Sequence, residues 1–185
     1  MGASYIGDIK GKLGFGRGAD SPDRFGFSGE QPNYLEYYYD RDNFVVDELK
    51  SIIEKLNEGA LFISKFIKGD TYSITDNHAH YTNKSFKTEE LKSGLKLEEV
   101  KLNELVDKIE DLYCVFYCFE ENDERGYESS IFGMRLDGLS NEETDTILKY
   151  IKERKLVEEF EDAILGAKIY VCVQKYGECN FNTIY

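Results

Sequence analysis

At 185 residues, with 41% hydrophobic and 14% aromatic side chains, the chain can bury a core, which excludes a disordered acidic tail despite a mean hydropathy of −0.51. Its formal charge of −13 arises from 36 Asp and Glu against 23 Lys and Arg, and it is uneven: residues 1–27 hold four basic and three acidic side chains, net +1, leaving −14 on the other 158. A surface of that sign repels phosphate backbones and anionic membranes and attracts basic proteins, so neither direct binding of duplex DNA nor membrane binding is expected.

No run approaches the roughly 18 apolar residues that span a bilayer, and Met1-Gly2-Ala3-Ser4-Tyr5 is not followed by an apolar signal segment. A cytoplasmic protein with reduced cysteines is the expectation. One domain is expected over residues 1–185, with a glycine- and aromatic-rich segment, 1–33, packed on it.

That segment interleaves Gly11, Gly14, Phe15, Gly16, Gly18, Phe25, Gly26, Phe27 and Gly29 with Pro22 and Pro32 nearby, and reads as tight turns between short strands. A phosphate cradle would need a strand before the glycines and a helix directly after, and the sequence offers neither. The first helix is predicted after Asp42-Asn43, with Val45, Val46, Leu49, Ile52, Ile53 and Leu56 on one stripe and Gly59 as its stop. Strands are predicted at 60–67 and 71–75 around Lys68-Gly69-Asp70, then a helical turn at 88–91 ended by Gly94.

Leu102, Leu105, Val106, Ile109 and Leu112 mark a second helix, and the apolar run 113–119 reads as a strand that pairs with another at 128–136. Ser140-Asn141-Glu142-Glu143 is a capping box opening a helix with Ile147, Leu148 and Ile151 inward; a further helix at 156–165 is stopped by Gly166. Strands at 168–174 and 179–185 close the chain as a hairpin through Tyr176-Gly177-Glu178. Helices and hairpins in blocks predict an α+β fold: a mixed or mainly antiparallel sheet with three to four helices packed on one face.

Four cysteines, Cys114, Cys118, Cys172 and Cys179, allow a zinc site, but zinc knuckles sit in turns and these lie in apolar runs, so they read as small buried residues. The two histidines lie in Asp76-Asn77-His78-Ala79-His80. In an extended segment Asp76, His78 and His80 share one face, a set able to hold a divalent metal and activate water; otherwise the stretch is a polar strand end, and no cofactor is implied. No nucleophile elbow, kinase or dinucleotide motif occurs, and carboxylate pairs such as Glu98-Glu99 read as solvated faces.

The segment 34–42 differs. Tyr34, Tyr37, Tyr38 and Tyr39 alternate with Glu36, Asp40 and Asp42, so large rings are flanked by carboxylates where a nucleic-acid binder would carry Lys and Arg. It reads either as a docking surface for a basic groove or as a half-buried strand. Glu120, Glu121, Asp123 and Glu124 form a second acidic group, and structured acidic faces are what imitation of a nucleic-acid backbone requires.

In charge, size and lack of catalytic motifs the chain resembles acidic inhibitors such as anti-restriction and anti-CRISPR proteins, and immunity proteins against nuclease toxins, although no motif carries that likeness. The expected partner is a basic nucleic-acid-binding protein, with Tyr34, Glu36, Tyr37, Tyr38, Tyr39, Asp40, Asp42, Glu120, Glu121, Asp123 and Glu124 as its contact residues. The alternatives are a metal-dependent hydrolase centred on Asp76, His78 and His80, and a viral or phage assembly component.

Overall fold

The computed structural model describes residues 4–12, 20–27, 33–36, 39–76, 83–119 and 134–184. The fold is α+β, with four helices of 14 to 26 residues and antiparallel strand pairing throughout the described residues. The chain divides into two compact units: Met1–Ile53 with Leu97–Val106 and Phe160–Tyr185, and Glu54–Lys96 with Asp107–Glu159.

The first unit is built on a four-stranded sheet, ordered β2 (Gly11–Lys12), β1 (Ser4–Gly7), β7 (Glu178–Ile184), β3 (Asn33–Glu36). Along β7 the period of two sends Cys179, Phe181 and Thr183 inward and leaves Glu178 and Ile184 exposed. Phe181 meets Phe27 at 4.6 Å and Tyr5 edge-on at 6.0 Å between ring centroids, which anchors the described part of the N-terminal segment through aromatic packing. After the short α1 (Asp20–Asp23), Arg24 donates to Glu48 at 2.6 Å and to Asp162 at 2.7 Å, and Asp162 is only 4% exposed. That carboxylate lies in the interior of α6 (Leu156–Tyr176), where a charge survives only if paired.

The second unit carries a three-stranded sheet, ordered β5 (Asn83–Lys87), β4 (Thr71–Asp76), β6 (Met134–Leu136). Its core includes Leu56, Ile63, Ile74, Leu91, Ile109, Leu112, Phe116, Ile147 and Leu156. The capping box forms as the sequence predicts: Ser140 Oγ accepts from the Glu143 amide, the Glu143 carboxylate accepts from the Ser140 amide, and α5 (Asn141–Arg154) follows. The predicted turn of helix is α3 (Thr88–Ser93), and Gly94 caps it with φ 70°.

Three predicted strands are helix instead. Residues 60–64 continue α2 (Tyr39–Ser64), 113–117 continue α4 (Leu102–Tyr117), and 168–174 lie inside α6. In each case the buried positions keep the helical step of three or four: Leu56, Ala60, Ile63; Ile109, Leu112, Phe116; Leu165, Ile169, Cys172.

Gly59 and Gly166 are not stops. A Cβ on Gly59 would meet Leu156 at 2.6 Å and Phe116 at 2.8 Å, and one on Gly166 would meet the Phe25 ring at 2.5 Å, so both glycines admit a neighbour onto the helix surface. With 113–117 helical, β6 has no strand partner there and pairs β4 through Ile74↔Leu136. The predicted 176–178 hairpin is a helix end: Gly177, at φ 76°, donates its amide to the Val173 carbonyl and releases the chain into β7.

Candidate functional site

The tyrosine-rich acidic segment changes structure midway. Tyr34 and Glu36 stand on β3, in register with Asn180 and Glu178 of β7, whereas Tyr39, Asp40 and Asp42 belong to the first turn of α2. Tyr34 is 37% exposed and its hydroxyl lies 3.5 Å from the Glu178 carboxylate. Tyr37, Tyr38, Glu120, Glu121, Asp123 and Glu124 lie outside the described residues.

Asp76 ends β4, while His78 and His80 also lie outside the described residues. Among the described residues no three His, Cys, Asp or Glu side chains converge as a metal site would require. No disulfide joins the four cysteines, and Cys118, Cys172 and Cys179 are buried. Burial pushes the Cys172 and Cys179 thiols above their ordinary range, so thiolate chemistry is suppressed there. Among the described residues no helix is long and apolar enough to cross a membrane.

The second unit holds a cavity of about 400 Å³ built by the β4–β5 hairpin, α3 and α4. The register Tyr72↔Phe86 stacks these two rings at 5.3 Å and 21° on one face of the hairpin. The hairpin passes directly into α3, because Thr88 donates its amide to the Asp70 carbonyl at 2.8 Å and its hydroxyl to the Gly69 carbonyl at 2.9 Å. At the other end of α3, the Asn57 side chain donates to the Leu95 carbonyl and accepts from the Leu95 amide, both at 2.8 Å. These four hydrogen bonds fix the wall that carries Glu89 and Glu90; α4 supplies Lys108, Asp111 and Leu112 opposite.

The lining therefore combines stacked rings and leucines with three carboxylates and one ammonium. Tyr72 is 7% exposed. Burial pushes its hydroxyl above the usual phenol range and the charges of Glu90 and Asp111 push it the same way, so the group stays a neutral phenol at any physiological pH. Outside the cavity, α4 displays Asp107 and Glu110 beside Asp111, all exposed, at the i, i+3, i+4 spacing of one helix face.

No single local pattern in the sequence marks this site. The signals were present separately: acids opposite the Ile109–Leu112 stripe, and aromatic residues at 72 and 86. Their convergence depends on hairpin register, which no local pattern specifies.

The first unit holds a smaller concavity of about 280 Å³ with the opposite sign, lined by Lys10, Lys168 and Lys175 against Asp8. Lys168 donates to the Lys10 carbonyl at 2.7 Å and stands 5.4 Å from the centre of the Tyr5 ring.

No protein-family model matches the chain, and no curated protein and no solved structure matches it.

Proposed function

We propose that the protein acts by binding a basic partner, one whose cationic surface handles nucleic acid, in the manner of an anti-restriction or anti-CRISPR inhibitor or a nuclease-immunity protein. The observation that carries this reading is the exposed carboxylate set Glu89, Glu90, Asp107, Glu110 and Asp111, displayed on α3 and α4 of one compact unit. Residues 107–159 hold 15 acidic and 7 basic side chains, net −8, against net +1 for residues 54–96 of the same unit. Charges carried on helices keep a fixed spacing, and fixed spacing lets carboxylates stand where phosphates would stand in a cationic channel.

Competition tests this reading. Purified nucleases, restriction enzymes and RNA-guided effectors are titrated with the protein in the presence of labelled duplex DNA. Release of DNA from at least one of them at low salt, lost when the five carboxylates are neutralised, is the expected result. Binding that leaves the DNA in place, or that survives neutralisation, contradicts it.

A further inference from the structure

We infer that the cavity of the second unit is a receptor for an organic cation, an alkylammonium or guanidinium group carried on an apolar stem. Its lining includes the stacked pair Tyr72 and Phe86, of which the half-buried Phe86 is the more exposed, and an aromatic ring attracts cations through its quadrupole and accepts a hydrocarbon stem equally well. Around the rings stand Glu89, Glu90 and Asp111, against which, among the described lining residues, only Lys108 contributes positive charge. The Tyr72 hydroxyl lies in this wall with no hydrogen-bond partner among the described residues, although the residue is more than nine-tenths buried. A phenol oxygen that makes no hydrogen bond within the protein can accept one from an incoming N–H donor.

Other ligand chemistries fit worse. An anion would meet a net excess of carboxylates. A hard divalent cation wants six or more converging oxygens, and half of this wall is ring and leucine. A purely apolar ligand would strip water from Glu90 and Asp111 and return nothing to them.

The first unit shows the same partnership already satisfied from within, since Lys168 stands over the Tyr5 ring; among the described residues no lysine or arginine stands over Tyr72 or Phe86. A volume of about 400 Å³ suits one such group with its stem.

The test uses the full chain and small probes, so failure of the protein-partner reading leaves the outcome intact. Binding is followed by calorimetry and by NMR shifts at low ionic strength for an N-acetyl-arginine amide, for a free α,ω-diaminoalkane, and for the uncharged citrulline and diol counterparts. The cations are expected to saturate and the uncharged counterparts to bind about tenfold more weakly or not at all. Glu90→Gln with Asp111→Asn is expected to weaken the cations by about tenfold and Lys108→Gln to strengthen them, with circular dichroism unchanged because all three positions are exposed.

Tyr72→Phe, which keeps the stack and removes the hydroxyl, is expected to cost a few-fold. A preference for the arginine amide assigns the ligand to a polypeptide side chain, and a preference for the diamine assigns it to a free polyamine. Equal binding of charged and uncharged probes, indifference to Glu90→Gln with Asp111→Asn, or no saturable binding up to roughly 10 mM overturns the inference.

Discussion

The two units carry concavities of opposite sign on one chain of net charge −13. In the first, Lys10, Lys168 and Lys175 dominate, and one of these cations already has an aromatic ring. In the second, two stacked rings face carboxylates and the chain supplies no cation over them among the described residues. The contrast teaches that net charge sets long-range attraction, whereas recognition follows from which charges, rings and hydrogen-bonding groups the fold brings to one concavity.

Substitutions that separate the units put this contrast under strain. The largest effect is expected from Phe116→Ala, which empties a fully buried position in the second unit and should lower stability by about 3–5 kcal/mol in chemical denaturation. Arg24→Met removes the ion pair of the buried Asp162 in the first unit. The expected loss is about 2 kcal/mol, short of the roughly 3–5 of a fully dry pair because Arg24 keeps 24% side-chain exposure, and cation affinity of the acidic cavity should be retained.

Asn57→Ala reverses that pattern. It deletes both hydrogen bonds to Leu95, costing about 1–2 kcal/mol, and frees the wall bearing Glu89 and Glu90, so cation binding should fall as well. If Arg24→Met abolishes cation binding and Asn57→Ala spares it, the assignment of recognition to the second unit is wrong.

The smallest effect concerns the start of α5. Ser140→Ala removes the cap and should cost about 1 kcal/mol by thermal melting. Hydrogen bonds from the Ser140 amide and side chain hold the Glu143 carboxyl below its ordinary value. A depressed carboxyl stabilises the fold above its unfolded value and ceases to do so as pH falls through its folded one. The gap between wild type and Ser140→Ala should therefore narrow on acidification below the usual glutamate range, and a gap independent of pH would deny the coupling.

The sequence is legible where local chemistry decides the structure. The capping box at Ser140 and Glu143, the glycine end of α3 and the final strand, β7, all involve groups within a few residues of one another. The apolar runs at 60–67, 113–119 and 168–174 misled because buried helix and buried strand share composition, and because Gly59 and Gly166 resemble helix ends. Their reason for being glycine lies in Leu156, Phe116 and Phe25, far along the chain.

The candidate site divides the same way. An acidic, tyrosine-rich segment is legible as composition, but a cavity made by the Tyr72↔Phe86 register and the facing carboxylates of α3 and α4 is a tertiary fact.

The most direct measurement is the salt dependence of affinity for a basic nucleic-acid-handling protein that the chain displaces from DNA, compared between wild type and a variant with Glu89, Glu90, Asp107, Glu110 and Asp111 neutralised. The wild type should lose affinity steeply as salt rises, and the variant should start weaker with a shallower slope. Equal slopes for the two proteins, or an affinity indifferent to salt, would contradict the claim that these carboxylates carry recognition.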